Sequence, residues 1–313
     1  MKASFFSLVV LLALAAIVSA GCSAPSANSP APATTGTPAV IAPVQTVDGQ
    51  YANLSGFVDR AAAYAKQSGR DAAIREFNNL NGTFTEGDRY IFAYGTDGTT
   101  LAWPYQPDML GTNRANATDT NGVMHIRRMI ELAGEGGGGV YYVTKNPAHN
   151  NRDELKISYV RPVDSTWFVG SGVYLSEIPA IFTTAEKDQL VERVRQARTY
   201  AQANGAAKAI RDFNDRNGTF ANGTRYIYAY GFNGTTLALP FQPELIGTDR
   251  LDFTDTYGVK VIRQQISLCR NGGGYYYLHY YNPDTQKPGL KFNYVEPVDD
   301  TWFVGSGIYT DRQ

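Results

Sequence analysis

A chain of 313 residues, 43% hydrophobic and 18% charged, has the composition of a globular protein and room for two domains of ordinary size. Its 28 Lys+Arg against 29 Asp+Glu leave a formal charge of −1, so electrostatics give no case for nucleic acid as a partner. The 21 Tyr and 15 Phe favour strand-rich structure.

Residues 1–22 read as a secretory signal. Lys2 gives a small positive start, and the apolar run from Phe5 to Val18 is too short to span a bilayer comfortably. The run ends in Ser19-Ala20-Gly21-Cys22, which resembles a lipobox: cleavage before Cys22 leaves a thiol for lipidation. An ordinary secretory signal with an incidental cysteine is the alternative. Residues 23–50, rich in Ala, Pro, Ser and Thr and uncharged before Asp48, read as a flexible tether. No later run is apolar and long enough to cross a membrane, so the expected location is the extracellular face of the membrane, held by a lipid anchor. With Cys22 acylated, Cys269 has no intramolecular partner, and no disulfide framework or two-cysteine metal site is expected. Cys269 itself falls in an apolar helical pattern and reads as a small core residue. Six Asn-x-Ser/Thr sequons, at Asn53, Asn81, Asn116, Asn217, Asn222 and Asn233, fit an exported surface, although Asn-Gly-Thr is also plain turn chemistry.

Residues 64–114 align without a gap on residues 200–250 at an offset of 136, and 30 of those 51 positions are identical. The match resumes at an offset of 135, where Thr166-Trp167-Phe168-Val169-Gly170-Ser171-Gly172 becomes Thr301-Trp302-Phe303-Val304-Gly305-Ser306-Gly307. A period of that size means two copies of one domain, expected at 51–177 and 178–313.

Each copy reads the same way. In copy one, Phe57, Ala61, Tyr64, Ala65, Ala73, Ile74 and Phe77 predict a helix broken near Gly69 and ended by Asn81-Gly82-Thr83. Tyr90–Tyr94 and Thr99–Trp103 predict a hairpin across Thr96-Asp97-Gly98. A Pro- and Gly-containing loop follows to Gly111, and Asp119 or Thr120 is placed to cap a second helix through Leu132. After the turn Gly134–Gly139, strands are predicted at Val140–Thr144, Leu155–Val163 and Trp167–Tyr174, with Trp167 in the core. A longer helical stretch from Pro179 to Asn214 opens copy two. The expected class is α+β: in each copy a central antiparallel sheet, an N-terminal helix and a second packed helix.

That order, and the words that carry it, resemble the Cache family of extracellular sensor domains, whose sheet is PAS-like. The carriers are Tyr90-Ile91-Phe92-Ala93-Tyr94-Gly95 with Asp97-Gly98, Leu101-Ala102-Trp103-Pro104, Leu110-Gly111-Thr112-Asn113, Lys156-Ile157-Ser158-Tyr159-Val160 and Trp167 through Tyr174. Copy two repeats them, so the resemblance covers nearly all of 55–311 as two single-Cache modules. It implies a receptor that binds small carboxylates, amino acids or related metabolites against the concave face of the sheet, under the loop between hairpin and second helix. Such receptors continue into a membrane helix and a kinase or chemotaxis module; this chain reaches Gln313 with neither, which leaves binding, with occupancy passed to a separate membrane receptor, kinase or transporter.

A pocket of this kind needs aromatic walls and a few fixed polar groups. The candidates are Tyr94, Trp103, Tyr105, Gln106, Arg114, Tyr142, Lys156 and Tyr159 in copy one, and Tyr230, Gln242, Arg250, Tyr277, His279, Lys291 and Asn293 in copy two. Arg114 and Lys156, kept as Arg250 and Lys291, are the cations a carboxylate in a partly dry pocket needs. A solvated loop charge at Arg114, a strand-edge charge at Lys156 and plain sheet packing of the tyrosines are the alternatives. The copies differ where Trp103 becomes Leu239, Tyr105 becomes Phe241, Thr144 becomes His279, Lys145 becomes Tyr280 and Ser158 becomes Asn293.

Catalysis has little support. His125, His149 and His279 show no metal-ligand spacing, and copy two has Val261 in place of His125. There is no Gly-x-Ser-x-Gly elbow, and Gly136–Gly139 lacks the Lys of a phosphate loop. No enzyme activity, cofactor or metal is expected. The rival to a binding protein is a structural or adhesive surface protein using a sensor fold as a building block; sealed, side-chain-filled interiors would favour it.

Overall fold

The computed structural model describes residues 47–175 and 181–310. The signal sequence, Cys22, almost all of the tether and the expected 177/178 boundary lie outside them. Among the described residues, no helix is long and apolar enough to cross a membrane.

The first module opens with helices α1 (Val47–Ser68) and α2 (Arg70–Phe77). Leu54, Phe57, Val58, Ala61, Ala62 and Ala65 recur at helical spacing and form the buried stripe of α1. The predicted break falls at Gly69, whose φ of 81° suits a residue without a Cβ. The helix stops at Phe77 rather than at Asn81-Gly82-Thr83, with Asn78 as its C-cap, and the Asn78 side chain ties that end to the sheet while also donating to the Ile74 carbonyl (3.0 Å). Its Nδ2 donates to the Leu101 carbonyl (3.1 Å) and its Oδ1 accepts from the Trp103 N–H (2.9 Å).

A short ribbon, β1 (Thr85–Glu86) and β2 (Arg89–Tyr90), precedes β3 (Phe92–Gly95) and β4 (Thr100–Ala102). Helix α3 (His125–Gly134) follows a long loop, and then come β5 (Gly138–Asn146), β6 (Arg152–Pro162) and β7 (Trp167–Tyr174). These build a five-stranded antiparallel sheet in the order β4-β3-β7-β6-β5. Helices α1 and α2 cover one face, over Ile91, Ala93, Trp167 and Val169. Helix α3 covers the other, over Tyr90, Phe92, Tyr94, Tyr142 and Phe168. Trp167 is core, 1% exposed, as expected.

The expected cap of α3 is not there. Met124 precedes the helix without a side-chain cap. Asp119 lies upstream and buried, where Oδ1 accepts from the Asn121 and Val123 N–H groups and Oδ2 from the Val143 N–H of β5, all at 2.9 Å. A carboxylate that satisfies an edge strand and its own loop has no reach left for the helix.

The second module repeats the plan with α4 (Thr184–Asn204), α5 (Ala206–Phe213), β8 (Ala221–Asn222), β9 (Arg225–Tyr226), β10 (Tyr228–Gly231), β11 (Thr236–Ala238), α6 (Val261–Arg270), β12 (Gly274–Asn282), β13 (Lys287–Pro297) and β14 (Trp302–Tyr309). The sheet order is β11-β10-β14-β13-β12. A capping box between Thr183 and Glu186 starts α4. Gly205, with φ 79°, repeats the break of Gly69. Cys269 of α6 is buried among apolar side chains, and burial pushes its thiol up. The edge strands β5 and β12 meet across a shared apolar cluster that includes Val123, Tyr141, Val143, Tyr257 and Tyr277.

Candidate functional site

Side chains along a strand alternate between faces. In β6, Lys156, Ser158 and Val160 point under α3, whereas Leu155, Ile157 and Tyr159 point to the opposite face. Lys156 stands in register between Tyr142 of β5 and Tyr174 of β7. Its residue is fully buried, and its Nζ lies 4.2 Å from the ring centre of Tyr90 and 4.5 Å from that of Tyr174. That Nζ has no hydrogen-bond partner among the described residues. The strand-edge alternative for Lys156 therefore fails. In the second module, Lys291, 2% exposed, repeats the arrangement, 3.9 Å from Tyr226, 4.9 Å from Tyr309 and 5.5 Å from Tyr228. Burial alone brings its ammonium down to about 7.

The Gly-Ser-Gly of each last strand makes this possible. A Cβ on Gly172 would stand 2.6 Å from Lys156 Cε, and one on Gly307 2.6 Å from Lys291 Cε. A Cβ on Gly170 or Gly305 would meet the ring of Phe92 or Tyr228 at about the same distance. The serine between them faces away, and its hydroxyl donates to the Tyr90 or Tyr226 carbonyl.

The space beside each lysine is small. In the first module, a cavity of ≈ 10 Å³ is walled by Tyr90, Phe92, Tyr94, Trp103, His125, Ile126, Met129 and Tyr142. In the second, a cavity of ≈ 20 Å³ is walled by Tyr226, Tyr228, Tyr230, Leu239, Gln265, Tyr276, Tyr280, Lys291 and Asn293, among others. Each has room for about one water. A much roomier concavity, ≈ 850 Å³, is an open cleft of the second module bordered by Leu190, Arg193, Phe220, Arg225 and Ile308. It contains neither of the buried lysines.

Among the expected residues, Tyr94, Trp103 and Tyr142 line the first cavity, and Lys156 abuts its Tyr90 wall. Arg114 lies beside it, its guanidinium 5.1 Å from the Trp103 ring and its Nε buried without a partner. Tyr105 packs edge-on against Tyr90 and donates its hydroxyl outward to the Gly87 carbonyl (2.7 Å). Gln106 heads the one-turn helix Pro107–Met109 and is half-buried. Tyr159 faces α1, beneath the guanidinium of Arg161. In the second module, Tyr230, Lys291 and Asn293 line the cavity. Arg250 closes it by donating to the Tyr280 hydroxyl (2.7 Å). The Oε1 of Gln242 is buried without a partner.

Tyr277 and His279 are not in the cavity, and the reason is one residue of register. Helix α6, β12 and the turn between them keep the offset of 136, so Tyr142 corresponds to Leu278 and Thr144 to Tyr280; the missing residue lies in the loop before β13. Applying 135 from β12 onward flips the strand, because a one-residue slip exchanges its faces. Tyr277 and His279 instead face β5 and the loops of the first module. The reading from sequence also passes over Tyr90, Tyr174, Tyr226 and Tyr309, which box the lysines although all four are kept between copies. It passes over Gln265, Tyr228 and Tyr276 as well, which have no polar counterpart in copy one. His125 stacks on Tyr142, with ring centres 4.4 Å apart, and burial lowers its imidazole to about 4, so it is neutral near pH 7. Among the described residues, no group of His, Cys, Asp and Glu is placed to hold a metal ion.

A family model, single Cache domain 2, matches the chain twice, over residues 44–188 and 189–312. The sensor histidine kinase MctS of Rhizobium johnstonii is 33% identical over 87 residues, which are 28% of this chain and 19% of that protein. The chain thus spans about a fifth of that relative's length. Among solved structures, a methyl-accepting chemotaxis protein of Vibrio parahaemolyticus aligns at 22% identity and a TM-score of 0.37, over 42% of this chain and 92% of that one. The ligand-binding domain of the Pseudomonas fluorescens chemoreceptor CtaA, in complex with L-isoleucine, aligns at 12% identity and a TM-score of 0.25, over 84% and 87%. With two matched segments that together take in nearly everything after the tether, the chain belongs to the single Cache domain 2 family.

Proposed function

We propose that this protein binds a small carboxylate-bearing metabolite at the buried lysine of one or both modules, outside the cell, and passes occupancy to a separate membrane partner. One observation carries the reading. Lys156 and Lys291 are buried lysine side chains whose Nζ is surrounded by tyrosine faces, and among the described residues no carboxylate pairs with either. Ring faces stabilise a cation by roughly 0.5–2 kcal/mol, whereas taking it out of water costs several kcal/mol. A fold that places this unfavourable group at the same point in both copies is built to meet an anion. Membership of a sensor family and likeness to part of a sensor kinase support the same reading. The signal sequence and lipobox at Cys22 supply the expected export and anchoring.

Binding needs movement. A space of ≈ 10–20 Å³ does not hold a carboxylic acid, so the segment between β4 and α3, or between β11 and α6, lifts to admit one. These small interiors are also the observation that favours the rival reading, a structural surface protein whose sensor fold is sealed.

Calorimetric titration of the full chain with acetate, propionate, lactate and alanine decides between them. Binding that weakens strongly in Lys156→Met or Lys291→Met identifies the working module. Saturating millimolar acid without heat or shift in melting temperature would sink the binding reading and leave the structural one.

A further inference from the structure

The two lysine sites have diverged along one connected set of positions. Phe92, Met129, Val140 and Ser158 of the first module correspond to Tyr228, Gln265, Tyr276 and Asn293 of the second. In the first module three of the four are apolar, and the Ser158 hydroxyl is bonded to Tyr142 (3.0 Å). The polar groups this module adds are all engaged within it: Tyr142, in place of Leu278, is the partner of Ser158, Trp103, in place of Leu239, donates its Nε1–H to the Tyr90 hydroxyl (3.2 Å), and His125, in place of Val261, directs Nδ1 at the Val123 carbonyl (3.3 Å) and lays its face on Tyr142.

In the second module the four form a hydrogen-bonded relay. The Lys291 carbonyl can only accept, and it takes the Nδ2 of Asn293 (2.8 Å). Asn293 Oδ1 therefore accepts, from the Tyr228 hydroxyl (3.4 Å). The Tyr228 and Tyr276 hydroxyls lie 2.8 Å apart, and with Tyr228 donating to Asn293 the proton of that contact comes from Tyr276. Tyr276 then accepts from the Nε2 of Gln265 (2.7 Å). The relay ends at Gln265 Oε1, an acceptor buried without a partner on a residue 3% exposed. Leaving such a group unmet costs about 1–3 kcal/mol. Gln265 and Lys291 line the same cavity.

We propose that the two sites divide ligands by chemistry: the second module takes a short carboxylate that also carries a hydrogen-bond donor, a hydroxyl or ammonium, and the first takes a carboxylate with an apolar body. Lys291 meets the carboxylate and Gln265 Oε1 meets the donor. In the first module Met129 occupies the place of Gln265 and offers a donor no strong acceptor. The inference rests on the reading that the lysine sites bind carboxylates.

Propionate and lactate, which differ by one hydroxyl, separate the possibilities when titrated calorimetrically into the full chain. Lys156→Met leaves the second site as the lysine-bearing one and is expected to bind lactate about tenfold more tightly than propionate. Lys291→Met leaves the first and is expected to reverse the order or erase it. Adding Gln265→Met to Lys156→Met is expected to bring lactate down to the level of propionate. The same order of preference at both sites, or a lactate preference that survives Gln265→Met, overturns the division. A wild-type chain that binds neither acid overturns the carboxylate reading itself, an outcome distinct from binding without division.

Discussion

Tyr141 of the first module donates its hydroxyl to Asp255 of the second at 2.9 Å, and the equivalent pair, Tyr277 and Asp119, returns the bond at 3.3 Å. The duplicated domains thus meet through a pseudo-twofold exchange, as two copies of a protomer would across an isologous interface. Asp255 accepts from the Tyr257, Val259 and His279 N–H groups, as Asp119 does from Asn121, Val123 and Val143. Each carboxylate therefore covers an N–H of its own edge strand and holds the other module's tyrosine. Hydrogen bonds to charged groups contribute roughly 1.5–3 kcal/mol, so Tyr141→Phe and Tyr277→Phe are each expected to cost about that much in urea denaturation. A cost within error for both would show that the shared apolar cluster alone joins the modules.

Removing the lysines tests the same chain in the opposite direction. Lys156→Met and Lys291→Met keep the length of the side chain and remove an unpaired buried amine. Each is expected to stabilise the ligand-free protein, by about 1–3 kcal/mol, while abolishing binding at its site. Thermal melts without ligand give the first effect and titrations the second. Melting temperatures that fall would mean that the tyrosine boxes need the cation for packing.

The sheet, both helical covers and the duplication were legible because they rest on patterns that repeat: an apolar stripe in α1, a glycine break at 69 and a hairpin marked by Asp97-Gly98, whereas the matching break at Gly205 went unread inside the stretch from Pro179 to Asn214. The lysines were legible as kept charges. Their burial was not, since alternation places Lys156 on a face but says nothing of what covers that face. Tyr277 and His279 were misplaced because the gapless match ends at Arg250 and resumes at Thr301, so composition lets the single missing residue stand before β12 as readily as after it, and only the ladder pairing His279 with Leu290 shows where it falls. The role of Asp119 was hidden for a related reason. Its partners, Val143 and Tyr277, lie 24 and 158 residues away.

Gly172 and Gly307 supply the next test. Neither has the left-handed backbone that only glycine favours, so a substitution acts through space alone. A Cβ on Gly307 would lie 2.3 Å from Asn293 Oδ1 and 2.6 Å from Lys291 Cε, and one on Gly172 2.2 Å from Ser158 Oγ. Gly307→Ala and Gly172→Ala are expected to cost about 1–3 kcal/mol in denaturation and to weaken carboxylate binding at the affected module. Unchanged affinity would mean that the lysine arm does not approach the ligand along this strand.

The pH dependence of the second site follows from Lys291. Burial holds its ammonium at about 7, and the groups around it, Tyr226, Tyr228 and Tyr309, have no carboxylate among them. Burial also raises the Tyr226 and Tyr228 hydroxyls well above their ordinary value, so neither titrates near neutrality. An unfolded lysine titrates near 10.4, so between about 7 and 10 the unfolded chain holds a proton that the native chain has released. Ligand-free stability therefore gains from this group as pH rises through that window, and the gain is lost as pH falls through 7. Binding runs the other way. A carboxylate needs the ammonium, so above 7 the complex must take up a proton, and affinity at this site is expected to fall by up to about tenfold per pH unit. In the Lys156→Met chain, titrations in two buffers of different ionisation heat would show the proton uptake directly. An affinity level from pH 6 to 9, with no dependence of the heat on buffer, would mean that Lys291 is not the group that meets the carboxylate.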